Sequence, residues 1–292
     1  MKKFILIISF IVLVIYADAQ EADLAKSNAI IAEGQGNYKN AAELYKKAVD
    51  LYSEKEKTDT FCIFKAGQNF VRIKNYEEGV NFLDKAMALN YSDKNLYLYL
   101  GSCYDGLKKY DKAVEFYKKG VELYPEEKVN YLKKLAYHYY NVKDYENAVS
   151  TIDEALILAP DNSKLLYLKG NSLGNLNNYN EAISVYESIL SKEPDNKKVI
   201  SKMGVMIYRK TEVSYKKEVN RYEKLKNPDR VDYHNYRENI DQLNLGYKKA
   251  LTYLEKAKAN KPNDKFILNC LKVTYSRLNM KDKANEIKAL LD

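Results

Sequence analysis

Tryptophan is absent from this chain of 292 residues, and histidine (2), cysteine (3), proline (5) and glycine (11) are all scarce. Two histidines leave little for a metal or acid–base centre, and three cysteines do not make a disulfide scaffold. So little glycine and proline excludes collagen-like and low-complexity chains and disfavours turn-rich all-β folds. No block of like charge exists either: 48 Lys and Arg are interleaved with 40 Asp and Glu, for a net charge of +8. That pattern describes a solvated helix surface and carries no nucleic-acid signature. What is present is 46% hydrophobic and 30% charged residues, with 28 tyrosines against 8 phenylalanines. The composition predicts a helical protein large enough for one big or two ordinary domains.

The first nineteen residues form a pattern of their own. Lys2-Lys3 precedes an apolar run from Phe4 to Tyr16, interrupted only by Ser9, and Ala17-Asp18-Ala19 supplies small residues for cleavage. Residues 1–19 therefore read as a signal peptide, with a mature chain from Gln20. The run would rise roughly 20 Å as a helix, short of a bilayer core of about 30 Å, which disfavours an uncleaved anchor. No cysteine follows it, so a lipid-modified amino terminus is not expected, and no membrane span is expected in the mature chain. The expected location is outside the cytoplasm: periplasmic or envelope-associated, or secreted.

Internal repetition decides the fold class. Pro125, Pro160, Pro194, Pro228 and Pro262 keep one period, as do Tyr76, Tyr110, Tyr145 and Tyr179. The clearest unit reads Tyr97, Leu100-Gly101, Tyr104, Leu107, Tyr110, Ala113, Tyr117, Gly120, Pro125. In the next, Leu132, Leu135, Ala136, Tyr139 and Val142 fall on one helical face, and Ala148, Ile152 and Ala155 on another. Small residues let paired helices approach while large ones fill the space beside them. Pro-Asp-Asn-Ser (160–163), Pro-Asp-Asn-Lys (194–197) and Pro-Asn-Asp-Lys (262–265) each stop one helix and offer Asp or Asn to cap the next. One pair cannot bury both faces, so pairs must stack.

These residues resemble the tetratricopeptide repeat family. The resemblance implies an all-α superhelical solenoid of about seven helix pairs. The repeats are placed at about 22–55, 60–93, 94–128, 129–162, 163–196, 197–264 and 265–292. Lys272 and Lys281, where other copies carry a small residue and a tyrosine, suit a terminal repeat facing water without a separate capping helix.

The sixth repeat is interrupted. An ordinary extra repeat there would use Lys216, Glu223, His234, Arg237, Glu238 and Asp241 for packing, all polar. Instead Tyr233, Tyr236, Ile240, Leu243, Tyr247, Ala250, Leu254 and Ala257 step along one unbroken helical face. The stripe Ile207, Thr211, Tyr215, Val219 and Tyr222 accompanies it. Both helices of this repeat are thus expected to be lengthened by an inserted hairpin over 213–246, turning at Asn227-Pro228-Asp229. Gly246 is its weak point, since glycine in mid-helix costs about 1 kcal/mol. Exported tetratricopeptide proteins of Gram-negative envelopes are similar in this segment and in the tail Arg277-Leu278-Asn279-Met280.

No catalytic residue, metal site or cofactor is expected. His138 and His234 read as surface or groove side chains, and Cys62, Cys103 and Cys270 as buried thiols. In this family the first helix of each pair commonly lines a concave groove that takes a peptide. Helix geometry assigns to that face Asn130, Lys133, Tyr137 and Tyr140, then Lys164, Tyr167 and Asn171, then Lys198 and Tyr208. The family's terminal-carboxylate clamp is incomplete: Lys133, Lys198 and Lys202 are suitably placed, but Tyr137 and Leu168 stand where asparagines belong. The expected function is a non-catalytic scaffold holding a protein or peptide partner. The alternative is a structural assembly subunit, contacting an envelope complex or a second copy through the last helix or the hairpin tyrosines Tyr215, Tyr222, Tyr233 and Tyr236.

Overall fold

The computed structural model describes residues 20–292, so the expected signal peptide lies outside the described residues. Every regular element among the described residues is helical. They fall into two compact units, ending and beginning at His138 and Tyr139.

In the first unit, α1 (20–34) and α2 (Tyr38–Ser53) are followed by α3 (Thr60–Arg72), α4 (Tyr76–Ala88), α5 (Leu96–Gly106) and α6 (Tyr110–Leu123). The chain then enters α7 (Lys128–Asn141), which crosses the unit boundary. The small residues do what their spacing predicts. Ala41, Ala48, Ala86 and Ala113 are fully buried between helices, with Tyr45, Phe70 and Leu100 filling the gaps around them. Gly101 lies directly under the ring of Tyr117, where an added Cβ would come within 2.5 Å of the ring. The hydroxyl above that ring donates to Asp105 at 2.9 Å.

The second unit holds α8 (Tyr145–Leu158), α9 (Ser163–Asn175), α10 (Tyr179–Lys192), α11 (Lys197–Glu223), α12 (Arg230–Asn260), α13 (Lys265–Arg277) and α14 (Lys281–Ala289). Its core runs from Leu173, Ala182 and Tyr186 through Met203, Ala250 and Leu254 to Leu268, Leu271 and Ile287. The proline-bearing turns cap as expected. Asn162 accepts from Leu165 N at 3.2 Å, Asn196 from Val199 N at 3.1 Å and Asp264 from Phe266 N at 3.0 Å.

α11 (27 residues) and α12 (31 residues) form the long helical hairpin. Its turn is closed by a capping box, with Asp229 and Asp232 each accepting from the other's backbone N–H. Burial fades along it. Ile207, Thr211, Tyr247 and Ala250 are buried, whereas every residue from 213 to 246 is at least partly exposed. Lys216, Glu223, His234, Arg237, Glu238 and Asp241 all face solvent. Gly246 has a reason to be glycine: a Cβ there would lie 2.5 Å from Thr211 Oγ1, which itself donates to the Ile207 carbonyl.

The three cysteines are buried and unpaired, and burial pushes each thiol up to about 12. His234 is exposed, 3.4 Å from Glu238. His138 corrects the sequence expectation: it is buried, with Nδ1 against the Asp105 carboxylate and Tyr110 edge-on to its ring at 5.7 Å. An imidazole can enter a core when a carboxylate satisfies its ring nitrogen, and that partner comes from another helix, invisible to local spacing.

Candidate functional site

The second unit contains a cavity of about 390 Å³ bounded by the end of α7, by α9, by the first half of α11, by the end of α12 and by the start of α13. Tyr140, at the end of α7, and Tyr167, on α9, supply aromatic wall, and Phe266 supplies more from the first turn of α13. On α11, Lys198, Lys202, Val205 and Arg209 recur at spacings of four, three and four, so one face of a single helix lines the cavity. Lys197 and Lys261 add two more cations. Asp264 is the one carboxylate among the lining residues, and it already accepts from the N–H groups of Phe266 and Ile267 at 3.0 and 3.2 Å.

Two of these groups are held in place by their surroundings. Arg209 stacks over the Phe266 ring, 5.6 Å from its centroid. Lys202 is half-buried. Burial, with the like charge of Arg209 near it, holds its ammonium below the usual lysine value, and Asp264 offsets only part of this. Tyr167 packs at 6.2 Å against Tyr186, whose hydroxyl donates to Asn171 Oδ1 at 3.0 Å.

Of the residues assigned to the groove from sequence, Tyr140, Tyr167, Asn171 and Lys198 come together at this cavity. Asn171 differs from expectation in one respect: it is 9% exposed, and its carbonyl oxygen is committed to Tyr186. It is wall rather than free ligand. Tyr186 needs this partner because a buried hydroxyl without one is costly. Asn130, Lys133 and Tyr137 belong to the first unit, where Asn130 donates to Glu127 at 2.6 Å and Tyr137 is 39% exposed. Lys164 is exposed in the first turn of α9, and Tyr208 is half-buried on α11; neither lines the cavity. Among the residues that groove reasoning passed over are Arg209 and Phe266. The periodic lysines of α11 were a visible signal for the first. Nothing local announces that the start of α13 closes the same cavity.

At the hairpin, Tyr215 is already engaged, lying under the Arg277 guanidinium at 3.9 Å and edge-on to Tyr247 at 6.0 Å. Tyr222 stacks on Tyr236 at 4.4 Å, while Tyr233 stays half exposed. No group of three or more His, Cys, Asp or Glu among the described residues is arranged to hold a metal ion. None of the described helices is long and apolar enough to cross a membrane.

The tetratricopeptide repeat model matches residues 95–127. A second model, described as anaphase-promoting complex, cyclosome, subunit 3, matches residues 122–189. The chain thus carries a tetratricopeptide repeat at 95–127 within a fold made of helix pairs. It is 28% identical over 138 residues to the BBSome complex member BBS4 of Bos taurus, a stretch covering 47% of this chain and 25% of that one. It is 41% identical over 61 residues to a TPR repeat-containing protein of Methanocaldococcus jannaschii, covering 21% and 11%. The chain thus spans a quarter or less of these curated relatives. Among solved structures, the C-terminal part of a TPR repeat-containing protein from Cytophaga hutchinsonii superposes with a TM-score of 0.64 at 12% identity, covering 91% of this chain and 93% of that one. A tetratricopeptide repeat protein from Parabacteroides merdae gives 0.56 at 16% identity over 87% and 99%. At these identities the likeness is one of fold.

Proposed function

We propose that this tetratricopeptide chain is a non-catalytic scaffold that works outside the cytoplasm and holds an extended segment of a partner protein in the cavity of its second unit. One observation carries the reading: five helices converge to give aromatic walls and, among the described residues, five cations without an ion-pair partner. Tyrosines so placed are the side chains that anchor interfaces, because they bring much contact area at small entropic cost.

The test separates binding from folding. A Tyr140→Ala/Tyr167→Ala variant, checked by thermal melting, is expected to lose crosslinked capture of its partners from native envelopes. The corresponding Phe variants control for packing. Normal melting with undiminished capture would refute the cavity reading. Export is tested separately: intact mass of the native protein is expected to begin at Gln20, and retention of residues 1–19 would count against it.

A second reading, a structural subunit docking through the hairpin, is favoured by Val213, Val231, Tyr233 and Leu245, all more than half exposed on its arms. Light scattering distinguishes the two, since a stable oligomer of the purified chain favours fixed contacts.

A further inference from the structure

The cavity carries a charge pattern that says more about its occupant than that it is a peptide. Five cations line it against one carboxylate, Asp264, whose Oδ1 caps α13. Among the described residues, no ion-pair partner lies within 4 Å of Lys197, Lys198, Lys202, Arg209 or Lys261, although ion pairs occur on many other surfaces. Like charges gathered in a recess are a standing electrostatic cost, and an anionic guest relieves it.

The spacing then distinguishes a single anion from a row. Lys198, Lys202 and Arg209 lie within about 40° of one direction around α11, and a rise of 1.5 Å per residue sets them ~6 and ~10.5 Å apart along it. An extended chain advances about 3.3 Å per residue, so those gaps correspond to two and about three residues of a bound segment. One phosphate or one chain-terminal carboxylate would satisfy only one of these positions. The apolar surface interleaved with the cations suits hydrophobic side chains between the acidic ones: Val205 and Met206 on α11, with Tyr140, Tyr167 and Phe266 facing them.

From this juxtaposition we propose that the cavity recognises an internal acidic segment of a partner protein, extended along α11, with carboxylates two and then about three residues apart and apolar side chains between them. The proposal rests on the cavity reading above. Lys198, Lys202 and Arg209 each take one carboxylate, and the aromatic walls take the apolar side chains. The backbone contributes no charge, so the segment needs no free terminus.

The experiment uses the full chain and a displayed library of random seven-residue peptides flanked by neutral linkers, which removes any terminal carboxylate. Selection is expected to enrich Asp and Glu at positions two or three apart. An enriched peptide, synthesised with both ends blocked, is expected to bind at least about tenfold more tightly than its Asn/Gln counterpart, and to weaken with added salt. Lys202→Gln/Arg209→Gln is expected to abolish that preference without lowering the melting temperature, and Arg209→Lys to retain most of it. Enrichment of peptides without acidic residues, lost on Tyr140→Ala/Tyr167→Ala, would overturn the acidic specificity while leaving the cavity reading intact. Acidic peptides bound equally by the Gln variant would also overturn it. A library yielding no binder would count against both.

Discussion

Lys74, Lys108, Lys143 and Asn177 share a backbone conformation that most side chains avoid, with φ between 58° and 67°. Each follows the first helix of a pair and closes it. The next residue's N–H reaches back to a carbonyl five positions earlier, as in Asn75 to Phe70 and Asp144 to Tyr139, both at 2.9 Å. Lysine and asparagine tolerate this left-handed turn at modest cost. One repeat on from Asn177 stands Thr211, whose β-branched side chain resists it, and there α11 simply continues. The interruption thus begins at a single residue type. Opposite it, Gly246 permits the two helices to touch. Gly246→Ala gains helix propensity of about 1 kcal/mol, but its methyl group meets Thr211, and overpacking of this kind costs about 1–3 kcal/mol. The expected result is a lower melting temperature, restored in Gly246→Ala/Thr211→Ala. A double-mutant cycle with no coupling would show that the contact is immaterial. Residues such as Asn171 and His138 were not readable in this way. Periodicity tells which face a residue occupies, while their burial depends on Tyr186 and Asp105, partners supplied by a neighbouring helix or a neighbouring repeat.

Between elements, the decisive contact is the buried carboxylate of Glu212 on α11. It accepts from the Tyr247 hydroxyl of α12 at 2.5 Å and from Arg277 at the end of α13 at 3.0 Å, with Lys216 at 3.6 Å. Three helices are tied at the root of the hairpin by one acid. Burial alone would push the Glu212 carboxyl up, but the Arg277 guanidinium and the Tyr247 hydroxyl outweigh it and hold it below the usual carboxylate value. A depressed folded-state value adds stability that is present above the unfolded-state value and lost as pH falls through the folded one. The root is therefore expected to loosen below about pH 4, seen as faster amide exchange in 205–215 and 245–255, and Glu212→Gln should flatten that dependence. Removing the partner is harsher. Arg277→Met strands a buried charge, a loss expected at the lower end of about 3–5 kcal/mol because Arg277 is partly exposed and Lys216 remains nearby. A shift in melting below about 1 kcal/mol equivalent would show that water takes over the role of the arginine. The helices themselves were legible from sequence because each face repeats; this tie was not, since Glu212 sits among charged neighbours and only the fold makes it a buried one.

At the scale of the whole molecule, repetition means that segments can be exchanged without global loss, because each pair leans only on its neighbours. The insertion offers a sharp test. Joining Glu212 directly to Tyr247 removes 213–246, no residue of which is fully buried. It also recreates the order seen at Asn177-Asn178-Tyr179. With Thr211→Asn added to favour the left-handed turn, the shortened chain is expected to stay folded, losing helical circular dichroism only in proportion to the residues removed. Loss of helicity throughout would mean that the hairpin is integral to the stack. The period of the prolines and tyrosines made the stacked pairs legible at this scale, and the polar residues at 216, 223, 234, 237, 238 and 241 made the hairpin legible too. Which pair ends would enclose a cavity was not, because that depends on how successive pairs turn relative to one another.

α11 is one unbroken rod whose first half lines the cavity and whose second half forms an arm of the hairpin. From Glu212 to Glu223 it extends ~16 Å at 1.5 Å per residue, so a tilt of about 5° about Glu212 would swing the far end by ~1.4 Å. The helix is in effect a lever with its fulcrum at Glu212. Lys198 stands ~21 Å from that point on the other side, so a tilt set at the cavity end would reach the tip beside Tyr222 at about the same amplitude.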